Sequence, residues 1–160
     1  MSESSRPTPE QLAHYAQEFS NSVPLKAFGC RLQFPTQDRV VVEIDPLLPH
    51  HRGGLGTDAV NGGVLAAMFD LAIGTTPALR DTTRRNATMQ LSMTFERPLR
   101  GNKLRAEAWI ETAGSSTMFS AARILDEHGV VVARCQGVVK LSQLKWKAGG
   151  SPAVGEESAQ

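Results

Sequence analysis

The stretch Val60-Asn61-Gly62-Gly63-Val64-Leu65-Ala66-Ala67-Met68-Phe69-Asp70 is a paired-glycine turn that runs into an apolar helix carrying one carboxylate. Bare backbone at a helix start lets a ligand atom approach N–H groups whose partial positive charge favours a developing oxyanion. Asp70 follows six apolar residues, in a segment apolar enough to be a central core helix, where an unpaired carboxylate is costly. A buried acid near an electrophile site points to hydrolysis. The alternative open at this point is an Asp70 that caps a neighbouring element or pairs with an arginine. Asp70 lies eight positions beyond Gly62, about 12 Å along a helix that rises about 1.5 Å per residue. One helix therefore cannot bring its own Asp70 to its own Gly62, whereas a two-fold pair of antiparallel helices can bring the glycine turn of one copy to the Asp70 of the other.

Outward from this helix, the patterning predicts two flanking sets of elements. Thr8-Pro9-Glu10-Gln11 reads as an N-cap with proline at the first helical position, and Leu12, Tyr15, Ala16 and Phe19 supply a helical stripe ending near Asn21. Strand-like runs cover residues 28–34 and 39–44, the second alternating Val40, Val42 and Ile44 against Val41 and Glu43, with residues 35–38 as the turn. Residues 45–60, rich in Pro, Gly and His, read as a surface loop and candidate gate beside the glycine turn. The main helix is expected over Gly62–Thr75, with Pro77 ending it and residues 80–86 as a polar connection. Strands follow at 87–95, 103–112, 116–126 and 130–141, the last two around the turn Glu127-His128-Gly129. Helix, two strands, long helix and four strands imply an α+β fold in which a largely antiparallel sheet wraps the long helix.

The 160 residues are one ordinary domain, and a net charge of +1 without a basic stripe argues against nucleic acid as a partner. By this reading no apolar run approaches the roughly 20 residues of a membrane span, and the first residues lack the apolar stretch of a signal peptide, so no membrane partner and a cytoplasmic location are expected. Cys30 and Cys135 fit buried thiols, His50 and His51 fit an exposed loop, and no metal-ligand spacing occurs. Residues 1–7 and those after about Trp146 have the composition of disordered ends.

Asn61-Gly62-Gly63, then Asp70, then Thr88-Met89-Gln90-Leu91-Ser92-Met93-Thr94-Phe95-Glu96-Arg97-Pro98 together resemble the hotdog-fold acyl-CoA thioesterases, nearest to the phenylacetate-degradation (PaaI-like) branch, within the 4-hydroxybenzoyl-CoA thioesterase superfamily. The resemblance covers about residues 23–142, which become the hotdog domain, after an N-terminal segment (1–22) with a short helix and before a flexible tail (143–160). It implies hydrolysis of an acyl-CoA thioester in a site shared by two subunits of a homodimer, often paired into a tetramer, with no cofactor beyond the coenzyme A of the substrate.

By position, the resemblance makes Gly62 the oxyanion donor and the partner chain's Asp70 the general base or nucleophile. It puts Gly63 against the substrate, Thr88 where a hydroxyl orients water or holds Asp70, and Met68 and Phe69 against the acyl chain. Arg97 and Arg100, with Arg84 or Arg85 behind them, are candidates for the coenzyme A phosphates. Asn61 stands where the family usually carries His; an amide hydrogen-bonds but takes up no proton near neutral pH, so a histidine-dependent step is excluded there. The loop at 52–59 carries glycine where relatives have an Asn or Gln that positions substrate, a task left to His51 or Asp58. The altered loop and the missing His support the alternative, a module that binds acyl or CoA ligands without turning them over.

Overall fold

The computed structural model describes residues 6–146; the expectations of disorder at residues 1–5 and after 146 fall outside them. Arg6 and Pro7, read as part of that disordered start, are placed: the Arg6 guanidinium pairs with Asp38 at 2.7 Å and the Pro7 carbonyl accepts from Gln37 Nε2.

The chain forms α1 (Pro9–Ser20), α2 (Val23–Phe28), β1 (Cys30–Thr36), β2 (Arg39–Ile44), α3 (Gly62–Thr75), β3 (Arg84–Phe95), β4 (Leu104–Ala113), β5 (Thr117–Asp126) and β6 (Val131–Lys145). The six strands make one antiparallel sheet in the order β1-β2-β4-β5-β6-β3, so β1 and β3 are its edges. The sheet wraps α3, which touches every strand from β2 to β6. This is the α+β arrangement expected from the element order.

α1 starts as the sequence indicates: Thr8 Oγ1 accepts from the Gln11 N–H, and Gln11 Oε1 accepts from the Thr8 N–H. Its Tyr15 stacks on Phe19 and meets Phe34 of β1 edge-on. Burial pushes the Tyr15 phenol up to about 12, with the Asn86 side chain of β3 acting in the opposite sense. α1 therefore reaches both edges of the curled sheet. Along β1, the Ser20 hydroxyl accepts from the Leu32 N–H at 2.9 Å and so occupies part of that open edge.

Two boundaries and one reading of composition differ from the sequence analysis. Residues 23–28 form α2, and the first strand begins only at Cys30, because Gly29 ends the helix in the left-handed conformation (φ 65°). Six residues are too few for a periodic signal, and the fully buried Leu25 anchors the element instead. Residues 84–86, read as connection, open β3 by pairing with the end of β6, which continues to Lys145. These are edge positions, where polar residues face water and break the alternation. Finally, residues 62–79 are an 18-residue run that passes as a membrane span on length and composition alone, correcting the statement that no run approaches one. Half or more of that run is buried within the fold, with Leu65, Met68, Phe69, Ala72 and Ile73 packed into the core.

Gly137 of β6 is what allows α3 to lie this close. A Cβ there would stand 2.7 Å from Ile73 Cγ2, 3.0 Å from Leu91 Cδ2 and 3.1 Å from the Gln90 carbonyl oxygen. Gly137→Ala is expected to destabilise the fold by about 1–3 kcal/mol through overpacking, measured as a lower urea midpoint at unchanged slope.

Candidate active site

The site begins at the first turn of α3. Asn61 is the N-cap, in extended conformation, and its Oδ1 accepts from the Gly63 N–H at 2.7 Å. The Asn61 carbonyl takes the N–H groups of Val64 and Leu65. Among the described residues the Gly62 N–H is left with no acceptor, so one donor at the positive end of the helix dipole points to solvent. The Phe95 ring flanks it: Cε2 lies 3.9 Å from where a Gly62 Cβ would be, and the residue is 49% exposed. Gly63 has a different role from a substrate contact. Its N–H is already taken, and a Cβ there would sit 3.0 Å from Asn61 Oδ1, so the glycine makes room for the cap.

The loop before the turn is pinned rather than free. Arg52 bridges Val60, the Val60 N–H donates to the Leu99 carbonyl, and the Asn61 N–H donates to the His51 carbonyl at 2.9 Å. Arg52 adds side-chain bonds to the carbonyls of Asp58 (2.9 Å) and Gly101 (2.7 Å). His51, expected in an exposed loop and offered as a substrate contact, is 1% exposed. Its Nδ1 accepts from the Leu48 N–H at 2.9 Å and its Nε2 lies 2.7 Å from the Phe28 carbonyl, which makes Nε2 the protonated nitrogen. It cannot reach a ligand. Asp58 is likewise engaged, its carboxylate accepting from Arg100 Nε at 2.8 Å, and that bond holds its pKa below the usual carboxylate range.

Asp70 is exposed and makes no hydrogen bond or ion pair among the described residues, which corrects the expectation of a buried acid. Among the described residues it neither caps another element nor pairs with an arginine. It sits on the side of α3 turned away from the sheet, in a strip with the half-buried Val64, Ala67 and Leu71. Thr88 faces the same helix one turn further on: its Oγ1 stands 2.9 Å from where a Gly74 Cβ would be, and it forms no bond to Asp70. Met68 and Phe69 are 0% exposed, on the opposite side of α3 in the core, so they do not line a ligand pocket. The apolar surface near the turn comes from Val64, Ala67, Leu71, Met93 and Phe95 instead.

The arginines separate in the same way. Arg100 is paired with Asp58, Arg84 donates to the carbonyls of Ser142 and Leu141, and Arg85 lies 5.8 Å over the Trp146 ring. Arg97 is exposed, and its side chain has no partner among the described residues. Cys30 and Cys135 are buried free thiols, each pushed up to about 11 by burial. No group of three His, Cys, Asp or Glu among the described residues is arranged to hold a metal ion. Sequence reasoning missed Phe95 and the anchoring of His51. Phe95 shares its strand parity with Leu91 and Met93, which marks its face but not the turn it meets.

A central helix wrapped by a six-stranded antiparallel sheet, with a glycine turn at the helix start, defines the hotdog fold. The sequence profile of the thioesterase superfamily matches residues 58–133, from the loop before the turn into β6. Its structure is similar to that of the PaaI protein from the phenylacetic acid degradation operon of E. coli, with 20% identity, a TM-score of 0.70, and coverage of 84% of this chain and 98% of that one. It is also similar to a thioesterase from Haemophilus influenzae (18% identity, TM-score 0.69, covering 89% and 95%). A protein from Shewanella oneidensis related to the thioesterase superfamily matches with 22% identity, a TM-score of 0.72 and coverage of 85% and 100%. At these identities the likeness is one of fold. No curated protein sequence matches the chain.

Proposed function

We propose that the protein hydrolyses an acyl-CoA thioester to free acid and coenzyme A in a site completed by two copies of the chain. The observation that carries this reading is a complementary pair of unengaged groups on the open side of α3, a donor at Gly62 and a carboxylate at Asp70. They are about 12 Å apart along one helix, too far to act on one carbonyl, and a two-fold pairing of α3 faces halves that problem by crossing them. In the reaction, the Gly62 N–H stabilises charge growing on the thioester oxygen. Asp70 of the other copy takes a proton from the attacking water, or attacks the carbonyl itself to give an anhydride that water opens; the thiolate of coenzyme A leaves and is protonated from solvent.

Within this reading the acyl group lies against Val64, Ala67, Leu71, Met93 and Phe95, and Arg97 is the residue available to the phosphates. Thr88 orients water on the far side of Asp70. The homodimer pairs further into a dimer of dimers, and the reaction requires no cofactor. Asn61 donates through its free Nδ2 where the family's imidazole would stand, and it does so without a proton to give.

The test is release of thiol, followed with a disulfide dye, from short, medium, long-chain and aromatic acyl-CoAs. Release from one class identifies the substrate group. Binding of the panel without release from any member overturns the hydrolase in favour of a binding module.

A further inference from the structure

We propose that His51, which is shut off from ligand, is a positioning residue for the glycine turn: its imidazole is wedged between two backbone groups of other segments, and its carbonyl holds the N-cap of α3. The links are continuous. Nε2 donates to the Phe28 carbonyl at the end of α2, Nδ1 accepts from the Leu48 N–H at the start of the loop, and the His51 carbonyl accepts from the Asn61 N–H. Asn61 in turn holds the Gly63 N–H and leaves that of Gly62 free. The direction of the Gly62 donor therefore depends on where the His51 ring is seated. A displaced ring lets residues 48–61 shift together, because Arg52 and Val60 are bridged to each other.

The arrangement works only with a neutral ring. A second proton would go to Nδ1, which would then face the Leu48 N–H donor to donor. The groups acting on the ring reinforce this. Burial disfavours the charged form most, the Phe28 carbonyl on α2 favours it, and the two cationic neighbours, His50 and Arg52 on its own loop, disfavour it. Gly29, at the end of α2, brings no charge; a Cβ there would lie 3.9 Å from His51 Cε1. Acidification thus carries the turn from a held to a released state, and the hydrolase reading enters only in what that does to turnover.

The decisive measurement is amide hydrogen exchange at Asn61, which needs no substrate and so fails independently of the hydrolase. In His51→Ala the protection of the Asn61 N–H is expected to fall about five- to tenfold, as for the loss of one hydrogen bond, while the amides of β4 and β5 keep theirs. His51→Gln retains a donor for the Phe28 carbonyl and is expected to restore most of the protection. As the pH falls from about 7 to about 4.5, through the lowered His51 range, the wild type should lose protection at Asn61 and His51→Gln should not, with His50→Gln keeping an acid loss like the wild type but beginning at slightly higher pH. Unchanged Asn61 protection in His51→Ala, or an acid loss that persists in His51→Gln, overturns the proposal. Should His51→Ala fail to fold, the pH comparison between wild type and His51→Gln decides alone. In turnover, kcat should follow Asn61 protection while KM stays constant; a change confined to KM also overturns it.

Discussion

Asp70→Asn is expected to lower kcat for the best acyl-CoA by about 10²–10⁴-fold while leaving thermal stability within about 0.5 kcal/mol of wild type. The two parts of the expectation have separate origins. The carboxylate is exposed and bonds to nothing among the described residues, so exchanging one oxygen for an amide nitrogen removes no packing and no ion pair there. What it removes is the group that accepts a proton or attacks carbon, and an amide does neither at neutral pH. Binding of a non-hydrolysable thioether analogue should persist, since recognition falls to the apolar strip and Arg97. Full turnover in Asp70→Asn would remove Asp70 from the chemistry and leave the Gly62 donor without a partner.

Phe69→Ala is expected to be the most damaging substitution for the fold, at about 3–5 kcal/mol, because the ring is wholly buried in the core and its removal leaves a large cavity. Since small domains have only about 5–15 kcal/mol in total, the variant should unfold many degrees earlier in calorimetry and express poorly. Leu71→Ala, on the half-buried strip of the same helix, should cost much less stability and act on substrate chain-length preference. A Phe69→Ala protein as stable as wild type would mean that the helix is seated with the other face inward.

That contrast also shows what the sequence could and could not say. The helix from Gly62 to Thr75 is plain in the sequence, and the reach from turn to carboxylate follows from rise per residue, so both Gly62 and Asp70 are legible there. The face that each residue occupies was not legible. α3 is apolar nearly all the way round, which leaves no phase to distinguish Met68 and Phe69, which are core, from Val64, Ala67 and Leu71, which are open. Asp70 was expected to be buried for the same reason. His51 was misjudged on other grounds: the groups that satisfy it are the backbone of Phe28 and Leu48, and a sequence does not display which carbonyl a ring will find. The role of Gly63 was similar, since its neighbour's side chain rather than a ligand requires the missing Cβ. Conversely, the capping box of α1 and the turn at Glu127-His128-Gly129, where Asp126 Oδ1 accepts from the N–H groups of His128 and Val130, are encoded within a few residues and were readable.

The two edges of the sheet are unequal, and this bears on how many chains can join. At β1 the Ser20 hydroxyl stops one rung of the ladder and α1 lies alongside; among the described residues no side chain stops a rung of β3 in this way, and α1 meets that strand through Tyr15. Were two copies to meet through their β3 edges, the addition would consume both of those rims and leave the two β1 edges outward, each stoppered by its Ser20, so growth by that route would stop at a pair. Ser20→Ala would remove that stopper and open the β1 edge to the strand-adding route that unguarded edges share.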